Sequence, residues 1–121
     1  MQQPFLFHPD LRDITAPESG IVSKTLQSDE RSKVIQFCFA PGQELSAHTA
    51  PFPAILQFLR GEATLKLGAE EQTAKEGTFV YMTPNLEHGI HAITEVVMLL
   101  IMLKNPKVGE PLRSSFGMNY M

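Results

Sequence analysis

Apolar and polar residues alternate with a period of two along most of the chain, and nowhere do ten or more residues repeat with the period of about 3.6 that marks an amphipathic helix. Across residues 33–40, Ile35, Phe37 and Phe39 fall on one face and Val34, Gln36 and Cys38 on the other. This is the pattern of a strand between core and cover. The same alternation places Ala63, Leu65 and Leu67 opposite Glu62, Thr64 and Lys66. Further strands are expected over 21–26, 54–59, 72–75, 79–82 and 96–103, with turns at Pro41-Gly42, Gly61, Gly68 to Glu70 and Gly77. About eight to ten short strands with so little helix predict an all-β sandwich or barrel.

Residues 1–20 carry Pro4, Pro9, Pro17 and Gly20 and read as a draped arm in which only 4–8 looks strand-like. Residues 105–121 have two prolines, two glycines and no periodicity, and read as a mobile or surface-draped tail. The run 96–103, VVMLLIML, is apolar on both faces, as a strand covered on both sides would be. On the strand after Pro53, Ala54, Leu56 and Phe58 face inward, which leaves Ile55 and Leu59 outward and in need of a cover. The arm, the tail or a second copy of the chain would each supply it.

At 121 residues the chain has the length of one domain able to bury a core without disulfides. A hydrophobic share of 43% with 19% charged residues is a globular balance. A formal charge of -3, with Lys and Arg scattered, argues against nucleic acid as a partner. Cys38 is the single cysteine, so no internal disulfide can form, and a reducing, cytoplasmic setting is expected. No basic start with a long apolar run precedes the domain, and 96–103 is too short to span a bilayer, so no membrane role is expected.

Two blocks each bring a histidine to the end of a predicted strand. The first runs PGQELSAHTAPFPAILQFLRG and has Gly42, His48 and Gly61; the second runs EGTFVYMTPNLEHGIHAI and has Gly77, Thr83, Asn85, His88 and Ala92. At these spacings the stretch 34–104 resembles the two sequence motifs of the cupins, small jelly-roll barrels that commonly hold a divalent metal on three histidines and a glutamate. In that register Ala50 stands where the second histidine would be, and Ala54 where the glutamate would be. Thr83, Asn85 and Ala92 also depart from the motif, Asn85 tolerably, because it accepts the positive φ of a tight turn as glycine does.

The resemblance implies a single-domain RmlC-like cupin spanning 1–121, with a barrel core over about 34–104. It also favours a homodimer, with the even alternative that arm or tail covers the outward apolar residues. A pocket lined by His48, Ala50, Ala54, Leu56, Phe58, His88 and Ile90 is expected, wider and more apolar than in metal-binding relatives because two donors are methyl groups. Strand parity then turns His91 outward, and nothing fixes His8.

For zinc, iron, nickel or manganese, His48 and His88 supply two of the three or more donors required, with Glu87 and Gln43 as nominal additions. Four functions follow: a protein binding a small, partly apolar molecule; a metal-dependent dioxygenase, isomerase or decarboxylase; a metal-free acid–base enzyme with His48 or His88 as base and Tyr81 as acid; or a structural protein.

Overall fold

The computed structural model describes residues 4–104, and among them no helix occurs. Nine strands follow one another: β1 (Ile21–Ser28), β2 (Ser32–Phe39), β3 (Glu44–His48), β4 (Ala54–Arg60), β5 (Ala63–Leu67), β6 (Glu70–Ala74), β7 (Phe79–Met82), β8 (His88–Ala92) and β9 (Val96–Leu103). They form a five-stranded sheet in the order β1-β2-β9-β4-β7 and a four-stranded sheet in the order β3-β8-β5-β6, with every pairing antiparallel. After β2 successive strands alternate between the sheets except at the β5–β6 hairpin, which is how a jelly roll closes one core between two layers.

The inward sets of both sheets meet in one cluster: Phe39, Ala54, Leu56, Phe58, Met82, Val96 and Met98 from the larger sheet, and Ala63, Leu65, Ala74, Ile90 and Ala92 from the smaller. In β2, β4 and β5 the alternation in the sequence dictates this, because only one parity of each is apolar without interruption. The hairpin between β5 and β6 closes on Gly68 and Ala69, with Gly68 at φ 63° and Leu67 paired to Glu70. Glycine first in a two-residue loop is the arrangement that matches the strands' twist.

Gly61, at φ 90°, has a stricter role: a Cβ there would run into the carbonyl oxygen of Glu95. Only glycine lets the β4–β5 turn lie against the β8–β9 turn, where the backbone N–H of Glu62 donates to Thr94 Oγ1 at 2.9 Å.

The arm covers part of the outer face of the larger sheet. Gln36 Nε2 donates to Leu11 O at 2.7 Å and Arg60 Nη2 to Ile14 O at 2.6 Å. Arg60 Nη1 reaches Glu95 Oε1 at 2.9 Å, and Glu95 Oε2 accepts the backbone N–H of Ala16 at 2.9 Å. Gln36, Cys38 and Val97 are buried beneath this clasp. The cover expected over β9 is therefore supplied at one end by the arm itself.

The strand-like stretch 4–8 forms no strand within the draped arm: Phe5, Leu6 and Phe7 are exposed and pair with no sheet edge. A short apolar run without a neighbouring strand has no ladder to join. The tail expected over 105–121 lies outside the described residues.

Candidate functional site at the mouth of the barrel

Strands β3 and β8 place the two motif histidines side by side. Glu44 pairs with His91, Leu45 with Ile90 and His48 with His88, so β3 takes three steps from Leu45 to His48 where β8 takes two. That extra residue is a β-bulge. Leu45 packs against the core, and without the bulge His48, an odd number of residues on, would point to the opposite face.

Gly89 lies close against the bulge. A Cβ on it would stand 3.1 Å from Ala47 N and 3.2 Å from both Ala47 Cα and Leu45 O. His48 is inward by its motif position, but period-two alternation does not place the bulge; Gly89 beside His88 was the available signal.

The imidazole centroids are 4.5 Å apart with ring planes at 52°. His48 is exposed and His88 half-buried, so the pair sits at the mouth of the barrel. Each Nδ1 lies 2.8 Å from a backbone carbonyl two residues earlier, His48 on Ser46 O and His88 on Leu86 O. A carbonyl oxygen only accepts, so each Nδ1 carries the proton, and in the neutral rings each Nε2 presents a lone pair. Neither Nε2 has a hydrogen-bond partner among the described residues.

The loops behind the rings are tied together. Asn85, at φ 69°, donates its backbone N–H to Ala50 O at 2.7 Å. Glu87 O accepts from Gly68 N at 2.8 Å, which holds the start of β8 against the β5–β6 turn.

Of the expected pocket lining, the structure brings His48 and His88 together, and Ala50 is half-buried in the loop that follows β3. Ala54, Leu56, Phe58 and Ile90 belong to the packed core, Phe58 with no exposed surface and Leu56 with 2%. The interior beneath the rings is thus filled by side chains. Around the rings, Leu67 is paired with His88, and Leu45, Leu67 and Leu86 are partly buried against that core.

Tyr81 is 53% exposed and is paired to the outward Ile55, so it faces away from the histidines and cannot serve them as an acid. His91 is exposed on the outer face, with Nδ1 3.2 Å from Glu44 Oε1. Beside that pair lies a shallow depression of about 120 Å³ that Lys66 and Glu71 also line. A larger concavity of about 560 Å³ separates Pro4 to Leu6 of the arm from the end of β1. His8 is exposed.

A metal of the kind expected would use both Nε2 lone pairs. No group of three or more His, Cys, Asp or Glu side chains able to hold an ion occurs among the described residues, so Glu87 completes none. Two imidazoles do not make a closed site for a divalent transition metal.

A family profile described as "Cupin domain" matches residues 35–103. No curated protein matches the chain. Among solved structures, a conserved protein of unknown function from Streptococcus pyogenes is 23% identical and superposes with a TM-score of 0.76 over 88% of this chain and 93% of its own. A cupin superfamily protein from Desulfitobacterium hafniense is 22% identical, with a TM-score of 0.76 over 87% and 94%. A cupin 2 conserved barrel domain protein from Leptotrichia buccalis is 28% identical, with a TM-score of 0.74 over 80% of this chain and 47% of its own.

Proposed function

The chain belongs to the cupin family, and from that premise we propose that it binds a small, partly apolar molecule at the mouth of its barrel, between His48 and His88. The observation that carries this reading is the pair of free Nε2 atoms, each aimed by an Nδ1–H held on a backbone carbonyl at 2.8 Å. Rings serving only to fill a core would be buried with both nitrogens satisfied; these reach solvent with one acceptor each unspent. The aliphatic rim offers contact to an apolar body, and the two nitrogens offer orientation.

Thermal-shift screening against sugars, polyols and organic acids tests the proposal. At least one class is expected to raise the melting temperature of the wild type and to leave His48→Ala and His88→Ala unmoved. A screen in which no compound stabilises the wild type contradicts it.

The same lone pairs support a second reading, a metal-dependent cupin enzyme whose ion takes its remaining positions from water or substrate. Elemental analysis of protein purified without chelator separates the two. Close to one equivalent of zinc, iron, nickel or manganese supports the enzyme; less than about a tenth of an equivalent removes it.

Assembly as a homodimer belongs to the same proposal, as does a reducing, cytoplasmic setting for the lone Cys38. Beyond the arm, the outer face of the larger sheet keeps Ile55, Leu99 and Ile101 half-buried and Phe79 60% exposed beside Tyr81. Sedimentation of wild type and a Phe79→Lys, Tyr81→Lys double variant is expected to give a dimer and a monomer respectively. A monomeric wild type contradicts the assembly.

A further inference from the structure

The tautomers of the two histidines restrict what the mouth can hold. Both Nδ1–H groups are engaged by Ser46 O and Leu86 O, so neutral His48 and His88 offer the ligand two acceptors and no donor. A carbonyl or carboxylate, itself only an acceptor, would set lone pair against lone pair. A hydroxyl brings the proton that each Nε2 lacks.

With the rings only 4.5 Å apart, two donors on neighbouring atoms can each meet one ring, whereas a lone hydroxyl leaves one nitrogen unpaired. An ammonium also donates, but no carboxylate is paired with either ring among the described residues, and Glu44, the one carboxylate paired to a histidine, is engaged with His91 on the opposite face. A cation would therefore arrive without a countercharge beside the dyad.

Resting on the small-molecule reading above, we propose that the site takes a vicinal diol carried on a compact aliphatic or cyclic body, one hydroxyl donating to His48 Nε2 and its neighbour to His88 Nε2. Leu45, Leu67 and Leu86 supply the apolar surface against which the C–H groups of that body rest. Because the interior is filled by Leu56, Phe58 and Leu65, the ligand lies across the mouth and is held by its hydroxyl edge.

Two probes that share a ring and differ in head group test the assignment: the cis vicinal diol of cyclohexane and cyclohexanecarboxylate, each titrated at neutral pH and followed by shifts of the protein's amide resonances. The diol is expected to bind the wild type at least about tenfold more tightly than the carboxylate, as two neutral hydrogen bonds allow. His48→Phe, which keeps a flat ring on an exposed position and removes the acceptor, is expected to lose about the same factor for the diol.

Tighter binding of the carboxylate, undiminished binding of the diol to His48→Phe, or no binding of the diol to the wild type each overturns the assignment. The thermal-shift screen with other ligands decides separately whether the small-molecule site stands.

Discussion

The two sheets of this barrel are built to different ends. The larger has three strands of eight residues, one of seven and one of four, is apolar on its inner face, and is clasped on its outer face by the arm through Gln36, Arg60 and Glu95. The smaller has four strands of five residues, and its outer face shows Glu44, Lys66 and His91 to solvent. Longer strands, with the arm covering part of the outer face as well, suit the first sheet to resist unfolding. The second, with a short bulged edge strand, is where two polar rings are held at an opening. Fold stability and recognition are thus drawn from different layers, and substitutions in each should separate them.

The largest effect is expected at the turn that locks the layers together. Gly61→Ala meets the Glu95 carbonyl at a positive φ and is expected to cost about 3 kcal/mol or more, or to abolish folding. Gly77→Ala has a similar φ of 93° but open space around the new methyl, and should cost only about 1 kcal/mol. Urea unfolding of the two variants measures the difference. Equal values would show that the close approach at Gly61 is not what holds the turns.

Arg60→Met keeps the apolar stem but removes the bonds to Glu95 and Ile14, and is expected to cost about 1 to 2 kcal/mol, with the arm cleaved sooner in limited proteolysis. Unchanged cleavage would mean that the arm is held by other contacts.

Gly89→Ala sharpens the comparison from the other side. The methyl would press on the bulge at 3.1 to 3.2 Å, so β3 must shift by a few tenths of an ångström and carry His48 away from His88. Ligand stabilisation should fall while the melting temperature of the free protein changes little. A variant that keeps full ligand stabilisation would show that the rings need not be held together.

Smaller still is the alkaline response of Cys38. Burial and then the nearby Glu95 carboxylate push its thiol above the ordinary range. At high pH the unfolded chain therefore loses this proton first, and stability falls as pH rises from the ordinary thiol range through the folded value. Cys38→Ala should flatten that alkaline slope. His91→Ala, which breaks only an exposed pair with Glu44, should change stability by no more than about 0.5 kcal/mol.

Much of this was legible in the sequence. The β7 and β9 strands fall on the expected residues 79–82 and 96–103, and the inward parity of Ala54, Leu56 and Phe58 follows from simple alternation. Alternation alone reached a sandwich or barrel; the jelly roll followed from the resemblance of Gly42, His48, Gly61, Gly77 and His88 to the cupin motifs.

Other features were hidden because they depend on contacts remote in the chain. The arm's bonds run from Leu11, Ile14 and Ala16 to residues 25 to 79 positions away, and no local pattern encodes them. The bulge before His48 is invisible to period-two reading, which assumes an unbroken ladder. Leu56 and Phe58 were expected to line a cavity, but inwardness alone does not distinguish lining from filling, and the opposing Leu65 and Ile90, with Met98 on the neighbouring strand, pack the space.

The central claim is that His48 and His88 act as one site with both Nε2 atoms unprotonated and available. Long-range proton–nitrogen correlation spectra of the histidine rings test it most directly, in the free protein and with a stabilising ligand. Both rings are expected to carry the proton on Nδ1, and both Nε2 resonances are expected to move together as ligand is added. A proton on Nε2 of either neutral ring, or a response confined to one histidine, would contradict it.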